Sequence, residues 1–334
     1  MNFKAAVLVK KNNIKILNLK KPELNKAQLF VKIVYSSICH TQLSEIKGVR
    51  GEDKFLPHCL GHEGVGIIID KHKSVKKFKI NDHVCLSWIK SKGREAGGVI
   101  YRDKTDTIIN GGPVHTLNEF AVVSENRLYK LKGRKNLKSK VLLGCALSTA
   151  YSALKNKELN KLKSICVIGC GGLGLATILV AKKLGYKDII AIDKVKRKLI
   201  AAKKLGANYF FKSSDSLNKF INLEVVVECT GNINVLKKSI SYPKKFGGKF
   251  IFIGNYPYKS KIYLDPWLII QGITFMGAWN NSKPFDSMFK KLENIIQDRN
   301  LKIFFGNKIY NLRNIKKAFK DFKNGKVIRP LIKF

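Results

Sequence analysis

Two short apolar runs with a helical pattern between them form the most regular stretch of the chain. The runs, Ile165–Ile168 and Ile189–Ile192, have the length and composition of buried parallel strands. Between them, apolar residues recur at the spacing of one helix face, at Leu173, Ala176, Val180 and Leu184. This stretch therefore predicts a strand, a helix and a second strand, the repeating unit of a parallel sheet.

A glycine-rich turn joins the first predicted strand to the helix, and an acid follows the second strand. The turn contains Gly169, Gly171, Gly172 and Gly174, and the acid is Asp193. Glycines let the backbone approach a pyrophosphate, whose charge then faces the free N–H groups at the start of the helix. An acid about 20 residues farther on can accept hydrogen bonds from the adenosine ribose. The pattern predicts a site for NAD, because the carboxylate would repel the 2′-phosphate of NADP.

The rest of the chain divides into a β-rich first part and an α/β second part. Apolar or alternating runs predict strands at Lys4–Val9, Leu29–Val34, Val65–Ile69, His83–Leu86 and Glu119–Val123. After Asp193, a basic helix, further apolar strands and two closing helices continue the α/β pattern. Because 334 residues are many for a single core, we predict an α/β protein with a β-rich domain and a doubly wound parallel-sheet domain.

The composition agrees with a globular protein in a reducing compartment. Hydrophobic residues make up 45% of the chain, and no run is long and apolar enough to predict a membrane span. The first residues, MNFKAAVLVKK, predict a strand and lack the apolar core of a signal peptide. The seven cysteines show no disulfide framework. We therefore expect a cytoplasmic protein without a membrane partner.

The formal net charge of +41 raises the hypothesis of a nucleic-acid partner. The lysines, however, are spread over nearly every segment and form no single stripe, and arginine is rare. This distribution favours a solvated basic surface over a specific nucleic-acid site.

Two cysteines and a histidine stand in contexts that suit a metal site. Cys39 and His62 lie in the β-rich part, and Cys145 lies where that part gives way to helix. Three such ligands can bind Zn²⁺ and leave its fourth position open, as in catalytic zinc sites. Because the three residues are far apart in sequence, spacing alone leaves open the alternative of core cysteines and a buried histidine.

The sequence around these residues resembles the zinc-dependent medium-chain alcohol dehydrogenases. The matching segments are Cys-His-Thr at 39–41, Gly-His-Glu-Gly-Val-Gly at 61–66, Asn-Asp-His-Val at 81–84, Gly-Cys-Ala-Leu-Ser-Thr at 144–149 and the glycine turn at 169–174. Their order and spacing hold along the whole chain, to the segment at 325–334. The resemblance implies a GroES-like catalytic domain over residues 1–146, completed by 280–334, and a Rossmann-type dinucleotide-binding domain over 147–279.

The resemblance also implies roles for single residues near the metal. The implied ligands of one catalytic zinc are Cys39, His62 and Cys145. Glu63 would lie beside the metal, and Thr41 would take up the proton of the substrate hydroxyl. Ser44 stands where relatives often have a histidine that ends the proton relay; its hydroxyl can pass a proton but cannot hold one near neutral pH.

Further roles concern the cofactor and the substrate pocket. The residues implied to contact the cofactor, besides the glycine turn and Asp193, are His40, Thr149, Leu173, Lys198 and Arg329. The residues implied to line the substrate pocket are Trp88, Asn255 and Trp279.

Two departures from the family pattern change the expected metal chemistry. Many relatives carry a lobe of four cysteines that holds a structural zinc, whereas Ser87 to Val114 contains no cysteine here. We therefore expect one zinc per chain. Gln42 stands where the family often has an aspartate, and a neutral amide should orient the histidine ligand less strongly.

The resemblance implies a zinc-dependent oxidoreductase, active as a homodimer or homotetramer. It would transfer a hydride between NAD and a primary or secondary alcohol, or the corresponding aldehyde or ketone. Two alternatives stay open at this point. One is a zinc-free quinone or enoyl-type reductase of the same superfamily, and the other is a basic nucleic-acid-binding protein on a dehydrogenase fold.

Overall fold

The computed structural model describes residues 1–160, 162–213, 223–278, 285–295, 297 and 299–334. Contacts within the chain divide it into two compact units. Unit 1 consists of Met1–Cys145 and Ser282–Phe334, and unit 2 consists of Ala146–Asn281. Unit 1 therefore draws on two separate segments of the chain, and unit 2 is inserted between them.

Short strands predominate in unit 1, and strands alternate with helices in unit 2. The strands are β1 (Asn2–Lys10), β2 (Asn13–Lys20), β3 (Gln28–Ser37), β4 (His58–Cys59), β5 (Glu63–Lys71), β6 (His83–Ser87), β7 (Val99–Arg102), β8 (Ile108–Gly112), β9 (Phe120–Ser124), β10 (Leu128–Lys130), β11 (Ser164–Ile168), β12 (Asp188–Ile192), β13 (Tyr209–Phe211), β14 (Val225–Glu228), β15 (Lys249–Phe252), β16 (Thr274–Gly277), β17 (Ile309–Asn311) and β18 (Leu331–Lys333). The helices are α1 (His40–Ile46), α2 (Leu137–Lys140), α3 (Ala146–Leu154), α4 (Gly172–Leu184), α5 (Lys196–Leu205), α6 (Ile233–Ser239), α7 (Pro266–Ile270), α8 (Phe285–Ile295) and α9 (Ile315–Lys323). Within the described residues, no helix has the length and hydropathy needed to cross a membrane.

Strand β3 organises the larger sheet of unit 1. This sheet runs in the order β10-β6-β5-β3-β18-β17, and β9 also pairs with β3. Because β18 pairs antiparallel with the end of β3, with Leu331 opposite Ser37, the second segment of unit 1 is fixed beside the start of α1. A smaller sheet, in the order β2-β1-β4-β8-β7, completes the strands of this unit.

The segment that stands where many relatives have the four-cysteine lobe, Ser87 to Val114, is held in place by aromatic packing. It contains the hairpin of β7 and β8, whose Tyr101 is almost fully buried. The Tyr101 ring lies edge-on to Phe3 at a centroid distance of 5.5 Å, and Phe3 packs on Phe30 and Phe120. Such tilted and edge-to-face contacts stabilise a core beyond the area that they bury.

Unit 2 contains a six-stranded parallel sheet in the order β13-β12-β11-β14-β15-β16. From β11 the chain continues toward one edge of the sheet, through β12 to β13. From β14 it continues toward the other edge, through β15 to β16. The order therefore reverses between these two strands, and the crevice at their carboxyl ends is where such sheets bind ligands. The predicted α/β class, with a β-rich and a doubly wound part, is confirmed.

The strand–helix–strand unit follows the sequence pattern closely. Strand β11 ends at Ile168, α4 begins at Gly172, and β12 ends at Ile192, directly before Asp193. Gly185 ends α4 with a φ of 90°, a left-handed conformation that favours glycine. Sequence reasoning assigned no strand to several segments that pair in the sheets, among them β2, β7 and β8.

His115 is a buried titratable group with fixed partners. It has no exposed surface, and its Nε2 lies 2.7 Å from the Tyr101 hydroxyl. That hydroxyl accepts the Val122 N–H at 2.8 Å, which leaves its own proton free to be donated to Nε2. Burial lowers the pKa of His115 from its ordinary 6.5 to about 4.

We predict that His115 makes the protein less stable as the pH falls from 6.5 to about 4. In that window the unfolded chain binds a proton that the folded protein excludes. The stability is therefore complete above the window and falls by at most about 3 kcal/mol across it. The midpoint of urea unfolding, measured against pH, should decline less steeply in His115→Gln, and parallel curves would contradict the prediction.

Candidate functional site

Cys39 occupies the short link between β3 and α1. Its backbone is extended, with φ −87° and ψ 157°, and its N–H donates to Gln42 Oε1 at 2.9 Å. This bond satisfies a backbone donor at the start of α1. The preceding residue, Ile38, donates its N–H to the carbonyl of Pro330 at 3.0 Å. Cys39 is thus fixed both by its own helix and by the segment that leads into β18.

His62 follows a glycine that no other residue can replace without rearrangement. Gly61 has a φ of +94°, and a Cβ there would lie 2.6 Å from Thr116 Oγ1 and 2.8 Å from the Leu117 nitrogen. The Nδ1 atom of His62 lies 2.6 Å from Gln42 Nε2. One amide side chain therefore contacts both the Cys39 backbone and the His62 ring.

Cys145 follows a short 3-10 turn, Val141–Gly144. A Cβ at Gly144 would approach the Leu86 carbonyl to 2.6 Å and Glu63 Cβ to 2.8 Å, so this turn packs directly against β5 and β6. The Gly144 carbonyl also accepts a hydrogen bond from Ser87 Oγ at 2.7 Å. These contacts set the position from which Cys145 presents its thiol.

The fold brings the three residues together. One ligand atom from each of Cys39, His62 and Cys145 lies within 4.8 Å of the others, and no other group of this kind occurs among the residues that the structure describes. Hydrogen bonding to Cys145 holds the pKa of Cys39 well below its ordinary value despite burial, and the same bond with burial raises that of Cys145. A divalent cation bound here would replace thiol protons, because thiolates are the metal-binding form of cysteine.

A buried ion pair lies behind the three residues. Arg329 Nε is 3.1 Å from Glu63 Oε1, with side-chain exposures of 3% and 0%. Ser37 Oγ also donates to Glu63 Oε1 at 2.5 Å, whereas Glu63 Oε2 and Arg329 Nη1 find no hydrogen-bond partner among the described residues. Burial raises the pKa of Glu63 and the Arg329 charge opposes that rise, while the carboxylate in turn raises the pKa of Arg329 despite burial.

The donor set fits zinc. Two thiols and one imidazole are the ligands that Zn²⁺ takes in catalytic sites with three protein ligands. Within the cluster, burial lowers the pKa of His62, but its bond to Cys39 and the nearby negative charges raise it overall. A cation bound here would replace the contacts that the two thiols and the imidazole make with one another.

The predicted proton relay begins beside the cluster. The Cys39 thiol donates to Thr41 Oγ1 at 3.7 Å, so the threonine hydroxyl lies next to a ligand. Ser44 lies on the same helix and is 8% exposed. Their roles in proton transfer remain predictions.

The glycine turn and Asp193 come together in unit 2. Gly169 has a φ of +90°, and a Cβ at Gly174 would collide with the Gly169 carbonyl. Asp193 Oδ2 accepts the Cys170 N–H at 2.9 Å, and Oδ1 accepts the Val195 N–H at 2.9 Å. The carboxylate thus lies at the glycine turn, with Lys198 Nζ 3.4 Å from Oδ2.

The remaining predicted residues lie in varied surroundings. His40 is exposed and meets the Phe322 ring edge-on, and Thr149 and Leu173 are half-buried on α3 and α4. Trp88 is half-buried, and its carbonyl accepts a bond from Arg127. Asn255 is exposed in unit 2. Trp279 lies outside the described residues.

Several supporting residues escaped sequence reasoning. Ser37 and Ser87 hold Glu63 and Gly144 through single hydroxyl groups, and an isolated serine gives no recognisable pattern. Arg127 forms a half-buried pair with Glu95. Glu228 could have been singled out from the sequence, because an acid directly after the apolar residues Val225–Val227 is unusual at the end of a buried strand.

Two family models match the chain. The model described as an alcohol dehydrogenase GroES-like domain matches residues 25–133. The model described as a zinc-binding dehydrogenase matches residues 172–297. Together the two ranges cover more than half of the chain, and each falls largely within one of its two parts.

Individual relatives agree with these matches. The chain is 28% identical over 338 residues to a probable S-(hydroxymethyl)glutathione dehydrogenase 1 of Schizosaccharomyces pombe, covering 90% of this chain and 89% of the relative. Its fold is similar to that of a benzyl alcohol dehydrogenase from Acinetobacter calcoaceticus, with TM-score 0.85, 24% identity, and 100% and 99% of the two chains covered. A short chain alcohol dehydrogenase from Escherichia coli CFT073, complexed with NADH, gives TM-score 0.81 at 18% identity, with 100% and 99% covered.

We predict one tightly bound zinc per chain, held by Cys39, His62 and Cys145. Cys145→Ser should lower the zinc content to a small fraction of that of the unsubstituted protein, because one thiolate ligand is lost. Zinc is measured by inductively coupled plasma mass spectrometry after gel filtration. Cys85→Ser is the control, since Cys85 is a buried thiol of unit 1 that belongs to no ligand group among the described residues. Two tightly held zincs, or full zinc content in Cys145→Ser, would contradict this assignment.

Proposed function

The chain belongs to the zinc-dependent medium-chain alcohol dehydrogenases, and we propose that it transfers a hydride between NAD and a primary or secondary alcohol. The observation that carries the proposal is the convergence of Cys39, His62 and Cys145 within 4.8 Å. This convergence also speaks against a zinc-free quinone or enoyl-type reductase, which has no use for such a cluster. Alcohol and aldehyde oxidoreduction is the activity that its relatives share.

The metal would be held by Cys39, His62 and Cys145. Bound there, zinc supplies Lewis acidity, which lowers the pKa of an alcohol and polarises a carbonyl. Glu63 and Arg329 form a nearly neutral pair behind the ligands. The arginine charge thereby keeps the Glu63 carboxylate close to two thiols without an uncompensated negative charge.

Residues of α1 would handle the proton. When an alcohol is oxidised, its hydroxyl would give up a proton, which Thr41 Oγ1 is proposed to accept as it passes its own proton on. Ser44 lies one turn farther along α1 and would pass a proton onward. Neither hydroxyl can retain an additional proton near neutral pH, so each would pass the proton on and would not store it.

The cofactor would bind at the glycine turn of unit 2. The N–H groups at the start of α4 can receive the pyrophosphate, and Asp193 is proposed to accept hydrogen bonds from the adenosine ribose. Its two backbone bonds fix the carboxylate, so it cannot turn away from a 2′-phosphate. Lys198 lies beside it, and the NADH complex of the Escherichia coli relative supports the same cofactor. We therefore propose NAD in preference to NADP.

The free cysteine thiols support a reducing cell compartment. All seven cysteines are free, including the two proposed metal ligands, and metal-binding thiols persist in reducing surroundings. We propose that the enzyme works in the cytoplasm on a small-molecule substrate, with its positive charge as a solvated surface.

We propose a two-fold dimer at the β16 edge of the unit 2 sheet. Within the described residues, β16 pairs only with β15, and α7, which precedes it, buries none of its residues. Trp267 and Ile270 of this helix are 64% and 69% exposed. An open strand edge next to exposed apolar side chains favours pairing with a second copy.

The dimer predicts a molecular mass of two chains in sedimentation velocity, or four if dimers pair further. Ile270→Glu should shift the protein toward the single chain, because a buried carboxylate without a partner opposes association. Ile108→Glu, at an isoleucine that is 50% exposed in unit 1, is the matched control and should keep the assembly. A single-chain mass for the unsubstituted protein would sink this proposal.

The function is tested by turnover with NAD and NADP, followed by the absorbance of the reduced nicotinamide. The alcohols should include simple aliphatic ones, benzyl alcohol and S-(hydroxymethyl)glutathione, the last two being named for relatives. We expect oxidation of at least one alcohol, a higher kcat/KM with NAD than with NADP, and no activity in Cys145→Ser. Absence of turnover in the zinc-loaded protein would overturn the function, and preference for NADP would overturn the role of Asp193.

A further inference from the structure

Glu228 is a buried acid at the place where the unit 2 sheet changes direction. It ends β14, has no exposed surface, and lies opposite Ile168 of β11 and Phe252 of β15 in the sheet register. Ile168 is the last residue before the glycine turn. The acid therefore lies at the carboxyl ends of the strands that flank the ligand crevice.

Both oxygens of Glu228 are fully used by donors from two loops. Oε1 accepts the Thr230 N–H at 2.7 Å and the Thr230 hydroxyl. Oε2 accepts the Gly231 N–H at 3.2 Å and the Tyr256 hydroxyl. Burial and the neighbouring carboxylate raise the pKa of Tyr256, so its phenol remains a donor. With four donors in place, Glu228 has no remaining capacity to bind a ligand itself.

The two loops pack so closely that side chains are excluded between them. A Cβ at Gly254 would collide with Glu228 Oε2 and lie 2.5 Å from the Gly231 nitrogen. A Cβ at Gly231 would lie 2.9 Å from the Asn255 nitrogen. The loop after β14 is therefore in direct contact with the loop after β15, and Glu228 is the group that joins them.

The same carboxylate reaches the glycine turn through Thr230. A Cβ at Gly169 would lie 2.5 Å from Thr230 Cγ2, so the threonine methyl fills the space beside the first glycine. Because Glu228 holds both the backbone and the hydroxyl of Thr230, any shift of the carboxylate shifts the residue that contacts this turn. Three loops at the crevice thus depend on one buried acid.

We propose that Glu228 is a positioning residue for the dinucleotide, which it serves by joining the loops after β14 and β15 to the glycine turn. The inference rests on the proposed NAD-dependent function and adds a residue that makes no contact with the cofactor. An amide cannot replace this carboxylate, because its nitrogen accepts no hydrogen bond. In Glu228→Gln, either the Thr230 donors or the Gly231 N–H would face an N–H₂ group, and the loops would separate.

Glu224, at the other end of β14 from Glu228, provides a matched control. It immediately precedes β14, and its Oε2 accepts the Ser164 N–H at 2.8 Å and the Lys163 N–H. It also pairs with Lys244 at 3.5 Å. Glu224 thus joins loops through backbone N–H groups as Glu228 does, but at the opposite end of the sheet from the crevice. A purely structural role would make the two acids alike in their effect on NADH binding.

The test is titration of the zinc-loaded protein with NADH, followed by nicotinamide fluorescence, together with KM and kcat for NAD. We expect Glu228→Gln to raise the NADH Kd by about tenfold, equivalent to about 1.4 kcal/mol. KM for NAD should rise in parallel, kcat at saturating NAD should change much less, and zinc content should be unchanged. Glu224→Gln should lower the unfolding temperature but leave the NADH Kd within about a factor of two.

Tyr256→Phe keeps the inference testable if Glu228→Gln does not fold. This variant removes one of the four donors and should raise the NADH Kd by a smaller factor, about threefold. Unchanged NADH affinity in a folded Glu228→Gln, or in Tyr256→Phe when only that variant folds, would overturn the role of Glu228. Equal weakening by Glu224→Gln and Glu228→Gln would do the same. If the unsubstituted protein fails to bind NADH, the proposed function itself is overturned, and the inference with it.

Discussion

The contact between Glu63 and Arg329 is the interaction on which the metal centre depends. Two half-buried thiols and a buried carboxylate lie close together, and all three carry or can acquire negative charge. Taking such groups out of water is costly unless positive charge accompanies them. The guanidinium of Arg329 provides part of that charge from the segment just before β18. Pairing of β18 with β3 is therefore an electrostatic requirement of the site as well as a feature of the sheet.

Sequence reasoning succeeded where function and fold share a local pattern. The strand, glycine turn, helix and Asp193 follow one another within a short stretch, and each has its own periodicity or residue type. The metal ligands carry no such local pattern, since Cys39, His62 and Cys145 are brought together only by the fold. They could be proposed only because the segments around them resemble a family. The residues that hold these ligands, such as Ser87, are recognisable only by their contacts.

The β7–β8 hairpin shows why the remainder could not be predicted. The segment lacks the cysteines that stabilise this lobe in many relatives, and sequence reasoning assigned it no structure. In the folded chain it is stabilised by Tyr101 against Phe3, and by the bonds that link Tyr101 to His115 and Val122. These partners come from different strands, so no window of sequence contains them. Aromatic packing and buried hydrogen bonds thus stabilise this hairpin in the folded chain.

The insertion of unit 2 into unit 1 has a consequence for the order in which the protein is made. A ribosome that synthesises the chain from its N-terminus releases the three ligand residues and all of unit 2 before Arg329 and β18. Unit 2 contains its whole parallel sheet and can fold at that stage, as domains generally do during synthesis. Glu63, in contrast, has no ion-pair partner until Arg329 has been synthesised. Unit 1 can therefore complete its fold only after all of unit 2 has been synthesised.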